Sequence, residues 1–233
     1  MNLWRKLAAE FIGTALLLAV VVGSGIMGAM LAGGSIAVAL LANAAATAGG
    51  LYVLIALFGP ISGAHFNPLV TLAMRIRGEI TSLEAAAFVA TQVVAAIVGV
   101  MLAHAMFGLP LIEPGTRVRT GVSIWLSEGV ATYGLLLTIL IGRSHRPASI
   151  PTLVAGYIFA AYWFTASTSF ANPAVTLARS LTQTFAGIRP QDVTGFLLAQ
   201  IAGAALGFLT AQALHMGAIK SFSANSQADS PTL

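Results

Sequence analysis

The segment Asn67-Pro68-Leu69-Val70-Thr71-Leu72-Ala73 recurs, with one substitution, as Asn172-Pro173-Ala174-Val175-Thr176-Leu177-Ala178. Asn is a strong helix N-cap and Pro is favoured at the first helical position, so each Asn-Pro starts a helix out of a non-helical lead-in. The lead-ins, Gly59 to Phe66 and Thr165 to Ala171, are rich in small and polar residues. If each Asn oxygen caps the N–H groups behind it, its amide nitrogen remains a donor. Two such donors meeting tip to tip would hold a polar solute by its lone pairs.

What surrounds the two copies is apolar: 58% of residues are hydrophobic and only 8% charged, against roughly 25% charged in soluble domains. Six segments approach the ~20 residues that cross a bilayer: approximately Leu7–Met30, Ile36–Phe58, Leu83–Phe107, Val122–Ile141, Ile150–Thr165 and Val193–Met216. The first runs well past a signal peptide's short core and is expected to be retained. Pro68–Arg75 and Pro173–Leu181 are helical but too short to span. Irregular backbone at membrane depth survives only where protein buries it or where it lines a wet cavity. Both segments are therefore expected to re-enter from opposite faces and line a channel; two ordinary surface loops are the alternative, which their apolar content disfavours.

The eleven Lys and Arg residues form no basic stripe, so a nucleic-acid partner is not expected despite the net charge of +4. They read better as topology. With the N-terminus inside, Arg5, Lys6, Arg75, Arg77, Arg143, Arg146 and Lys220 are cytoplasmic and Arg117, Arg119, Arg179 and Arg189 are outside. Both termini then lie in the cytoplasm, and 217–233 reads as a polar tail.

The repeat extends beyond the loops. Glu10 and Thr14 in the first span are matched by Glu128 and Thr132 in the fourth, and Gln92, Ala95 and Gly99 in the third by Gln200, Gly203 and Gly207 in the sixth. Halves of three spans each, approximately 7–107 and 122–216, must run in opposite senses through the membrane, which makes an inverted repeat within a single domain spanning 1–216. Glu10 and Glu128 are the acids placed deep in spans. They are either proton or cation sites of a coupled transporter or acceptors for loop N–H groups that lack partners in lipid. Duplication once per loop, with no further acids to relay a proton, favours the scaffold role. The small-residue spacings mark close helix contacts.

Ser62-Gly63-Ala64-His65-Phe66-Asn67-Pro68, Asn172-Pro173-Ala174, the two Glu and the two Gln together resemble the aquaporin, or major intrinsic protein, family over essentially the whole chain. The resemblance implies an all-α membrane protein with six transmembrane helices and two re-entrant half-helices, a pore in each protomer and a homotetramer. Leu69 stands where the family usually has Ala. Val175 stands where water- and glycerol-conducting relatives carry Arg, and Arg179, a full turn on, reads as no plain substitute. Carried over by offset from each Asn, the outer filter falls on Thr47, Ser169 and Val175, with Ala160 from the fifth span and Tyr157 or Ala161 as alternatives there.

Such a ring is expected to be wide and uncharged, and to exclude cations less well than one with Arg. With Tyr162-Trp163-Phe164-Thr165 leading into it, it resembles a bacterial branch of the family associated with metalloid transport. The expected solutes are neutral metalloid hydroxides such as arsenite, with glycerol and water. The absence of Cys fits a thiophilic cargo, although membrane proteins without Cys are ordinary. A general glycerol and water facilitator is one alternative, and an ion- or proton-coupled transporter is another. No catalytic triad or metal-ligand constellation stands out, so neither an enzyme nor a bound metal or cofactor is expected. His65 is expected to order its loop or meet solute at the cytoplasmic mouth. His104 and His215 are expected at membrane interfaces.

Overall fold

The computed structural model describes residues 2–228, with side chains through Leu214. Six helices form the walls: α1 (Leu3–Leu31), α2 (Ile36–Ser62), α4 (Ser82–Met106), α5 (Val122–His145), α6 (Ile150–Phe164) and α8 (Val193–Ala228). The short α3 (Pro68–Ile76) and α7 (Pro173–Arg179) lie between them. Five of the walls are long and apolar enough to cross a membrane. The sixth, α6, has 15 residues and is preceded by a 3-10 turn at Pro147–Ser149.

Local chemistry starts and stops these helices. Asn2 and Ser35 cap α1 and α2, and Thr81 with Glu84 forms a reciprocal capping box on α4. Helix α2 runs through Pro60 and stops at Gly63, whose φ of 92° is a left-handed cap. The lead-in to the first half-helix is thus shorter than its composition suggested. At the other end of the chain, α8 continues to Ala228 and so takes in residues 217–228 of the segment read as a polar tail; residues 229–233 lie outside the described part.

The packing repeats in two halves. Helix α1 packs on α2 and α4, α5 packs on α6 and α8, and α2 meets α6 across the molecule. Close approach depends on glycine: a Cβ on Gly99 would strike the Ala15 carbonyl of α1, and one on Gly203 would strike the Gly129 carbonyl of α5. The small-residue spacings read from the sequence sit at these two contacts. Outward faces carry exposed Leu, Ile and Val, such as Leu31, Leu57, Leu126 and Leu206. A bilayer tolerates these faces and water does not.

Candidate functional site

Helices α3 and α7 meet at their N-termini in the middle of the molecule. Asn67 Oδ1 accepts from Leu69 N at 2.9 Å, and Asn172 Oδ1 accepts from Ala174 N and Val175 N at 3.0 and 3.3 Å. Each Asn therefore caps its own helix. Each amide also crosses to the opposite loop: Asn67 Nδ2 donates to the Ala171 carbonyl at 2.8 Å and Asn172 Nδ2 to the Phe66 carbonyl at 2.7 Å. An amide has two N–H donors, so one on each Asn is left for a solute. Both residues line the same cavity.

The loops leading to the two Asn share one backbone conformation. Ala64 and Phe66 have φ of 48° and 49°, and Ser169 and Ala171, at the same offsets before Asn172, have φ of 49° each. Left-handed non-glycine backbone costs on the order of 1–3 kcal/mol per residue and persists only where the surroundings over-determine it. The buried carboxylates supply that constraint. Glu10 accepts from His65 N (2.9 Å), Phe66 N (2.8 Å), Ser62 Oγ (2.6 Å) and Gln92 Nε2 (2.9 Å). Glu128 accepts from Phe170 N (3.2 Å), Ala171 N and Gln200 Nε2 (2.8 Å). Gln92 and Gln200 each donate also to a half-helix threonine, Thr71 at 2.9 Å and Thr176 at 2.8 Å. The two loop N–H bonds and the Gln bond are thus built twice, once per half; the Ser62 bond to Glu10 is not, since Ser167, at the matching offset, meets Thr165 Oγ1 at 3.5 Å instead.

One cavity runs past both Asn residues. Toward the end that carries Arg143 it is lined by Gly63, Ala64, His65, Ile139, Arg143 and Ile150. His65 Nδ1 lies 3.1 Å from Thr71 Oγ1 and its ring packs edge-on against Phe88, so the imidazole both orders the loop and borders the lumen. Arg143 is paired with Glu79 at 2.5 Å, which also takes Arg77 at 2.7 Å. The middle wall is apolar, with Leu17 and Val21 from α1 matched by Leu135 and Ile139 from α5. Leu69 is buried but is not among the lining residues, so its bulk repacks the half-helix junction and leaves the lumen untouched.

The outer part of the cavity is lined by Thr47, Tyr162, Ser169, Phe170, Val175 and Arg179. Thr47, Ser169 and Val175 stand where the offsets from Asn67 and Asn172 put them. Ala160 does not: it is exposed on the outer surface of α6. The lining stripe of α6 is Ile150, Val154, Ile158 and Tyr162, spaced by four. Ala160 is two residues from Ile158 and from Tyr162, about 200° round a helix from either. Tyr157 and Ala161 are also absent from the lining; Tyr157 Oη instead donates to the Ala131 carbonyl at 3.0 Å. Tyr162 is the residue the sequence reading missed, with its hydroxyl 3.3 Å from Thr47 Oγ1. Ser169 borders this part of the cavity, and its Oγ is buried with no hydrogen-bond partner.

The expectation of an uncharged ring also needs correction. Four residues round an α-helix is one turn plus about 40°, so Arg179 lies on nearly the same face as Val175, roughly 6 Å further along. It is 2% exposed. Its guanidinium stacks 3.4 Å from the Phe170 ring centre, with Nε donating to the Ala186 carbonyl at 2.5 Å. Arg119, from the connector before α5, is 5.0 Å from the same ring and holds the Gly187 and Ser167 carbonyls at 2.9 and 3.1 Å. Burial, with Arg179 and Arg117 nearby, pushes the Arg119 guanidinium well below its ordinary value, yet arginine begins so high that it stays charged at neutral pH.

His104 departs from expectation as well. It is fully buried, with Nδ1 2.6 Å from the Pro110 carbonyl and Nε2 2.6 Å from Thr182 Oγ1, so it ties two connectors together and is not at an interface. The side chain of His215 lies outside the described residues.

Residues 1–153 match the family model described as Major intrinsic protein. The chain is 56% identical over 204 residues to the aquaglyceroporin AqpS of Rhizobium meliloti, covering 87% of each chain. It is 31% identical over 155 residues to the glycerol uptake facilitator protein of Bacillus subtilis, covering 58% of this chain and 56% of that protein. Among solved structures, the aquaglyceroporin from Plasmodium falciparum superposes with a TM-score of 0.70, covering 91% of this chain and 95% of that one at 18% identity. At that identity the likeness carries the fold alone.

Proposed function

The chain belongs to the major intrinsic protein family, whose members are passive channels and not enzymes, and from that premise we propose that it conducts small neutral hydroxylated solutes. Metalloid hydroxides such as arsenite are the preferred cargo, with glycerol and water. The carrying observation is the outer lining, which Val175 shares with three hydroxyl-bearing residues, Thr47, Tyr162 and Ser169. At neutral pH arsenite is largely As(OH)3, a triol-like neutral solute of about glycerol's size. Three hydroxyls in a ring, one of them without a protein partner, suit a solute that presents several O–H groups at once. Val175 leaves its level of the lumen free of a long cationic side chain.

Asn67, Pro68 and Leu69 with Asn172, Pro173 and Ala174 act in this reading as the midplane signature. Thr47, Tyr162, Ser169 and Val175 act as the filter. Opposed half-helix N-termini place partial positive charge at the midplane, and the two Asn donors turn each passing oxygen, which breaks a continuous proton wire. The reading includes a homotetramer in the cell's inner membrane with both termini cytoplasmic. Arg5, Lys6, Arg75, Arg77, Arg143 and Arg146 gather at one end, against Arg117, Arg119, Arg179 and Arg189 at the other, and that excess supports the orientation.

Uptake of As(III), glycerol and water by vesicles carrying wild type or Val175→Arg tests the reading. An arginine at this level is expected to lower glycerol and As(III) flux by about tenfold and water flux by less. Glycerol and As(III) fluxes that ignore the substitution would refute a filter built around Val175.

A further inference from the structure

Arg179 and Arg119 are both buried, both lie on Phe170, and neither has a carboxylate within ion-pair distance among the described residues. The acids close to them make their hydrogen bonds elsewhere. Asp192 accepts from Arg189 at 2.7 Å and from the Arg119 backbone N–H at 2.8 Å. Glu128 accepts from the loop N–H groups of Phe170 and Ala171 and from Gln200. A buried charge without a partner is costly and survives where its surroundings are built to hold it.

The holding here is done by an aromatic face and by backbone carbonyls. Phe170 offers its ring to Arg179, the Ala186 carbonyl fixes Nε, and Arg119 clamps the same ring and the Ser167 carbonyl from the connector. None of these contacts cancels the charge. Arg179 also lines the cavity beside Val175 and Ser169, so its charge, with no carboxylate in ion-pair contact, acts on whatever passes. In a low-dielectric channel such a field opposes a cation and leaves a neutral solute without a net penalty.

We propose that Arg179, shelved on Phe170, is the cation barrier of this pore, with Arg119 as the residue that positions the shelf. Width and charge selectivity are thereby separated by one helical turn: Val175 leaves room for a neutral solute, and Arg179 repels cations from a position further out. The inference rests on the channel reading above and deepens it.

The test measures proton and potassium conductance alongside glycerol flux in the same proteoliposomes. Arg179→Met is expected to raise cation conductance per unit of glycerol flux by about tenfold or more, and Arg179→Lys to stay within about twofold of wild type. A methionine variant whose ratio matches wild type would overturn the proposal. Should that variant not fold, Val175→Arg decides, because it keeps Arg179. Cation conductance within about twofold of wild type supports a barrier already in place, whereas a large drop means that Val175 leaves the pore open to cations. Wild-type vesicles with no glycerol flux above protein-free ones would overturn the channel reading instead, and the conductance comparison would then decide the role of Arg179 by itself.

Discussion

The Asn67 side-chain amide donates to the Ala171 carbonyl across the midplane at 2.8 Å, tying the first half-helix to the loop of the second. The same side chain caps its own helix through Oδ1. Asn67→Ala removes both, costing about 1 kcal/mol for the cap and a further amount of about 1–3 kcal/mol for the buried carbonyl left unpaired. Thermal unfolding in detergent should show the loss, and vesicle swelling should show reduced glycerol flux. A variant with wild-type stability would mean that the two half-helices are held together elsewhere.

Glu10 distinguishes a channel from a coupled transporter. It accepts four hydrogen bonds, two of them from loop N–H groups, and Glu10→Gln replaces one acceptor oxygen by a donor that faces donors. The expected cost is about 3 kcal/mol, read as a lower folded yield, with glycerol flux per folded channel still independent of an imposed proton gradient. Full folding accompanied by a loss of gradient dependence would instead identify a proton site.

Asp192 makes stability at the outer end depend on acid. Burial alone would raise its carboxyl, but Arg189 and the Arg119 backbone N–H outweigh burial and hold it below the ordinary carboxylate value. A depressed folded value contributes stability that is fully present above the unfolded value near 4 and is lost as pH falls through the folded one. Wild type should therefore melt higher than Asp192→Asn at pH 7, by about 1–2 kcal/mol of stability. The gap should close as the pH is taken below about 4. A gap unchanged across that range would show that the Asp192 contacts carry no charge-dependent stability.

Much of this was legible in the chain because short-range chemistry specifies it. Asn-Pro names both half-helices, and the repeated Glu and Gln point to the loop scaffold, since irregular backbone in lipid needs acceptors and no other acids fall deep in the predicted spans. What escaped depends on helical phase and on connector paths. Arg179 was judged by its distance along the axis, although a step of four residues turns a helix by only about 40°. Ala160 was carried over from a family resemblance, whereas phase against Ile150, Val154 and Ile158 selects Tyr162. The reach of Arg119 to Phe170 could not be read at all, because the connector that carries it has no period and its path is set by contacts such as Arg119 N with Asp192.

Stopped-flow swelling of vesicles reconstituted with wild-type protein, under glycerol gradients of increasing size and with all ion gradients collapsed, tests passive conduction of neutral solute most directly. Flux should rise in proportion to the gradient without saturating, and should be unchanged when proton or sodium gradients are imposed. Saturation at modest glycerol concentration, or flux that appears only with an ion gradient, would contradict a channel.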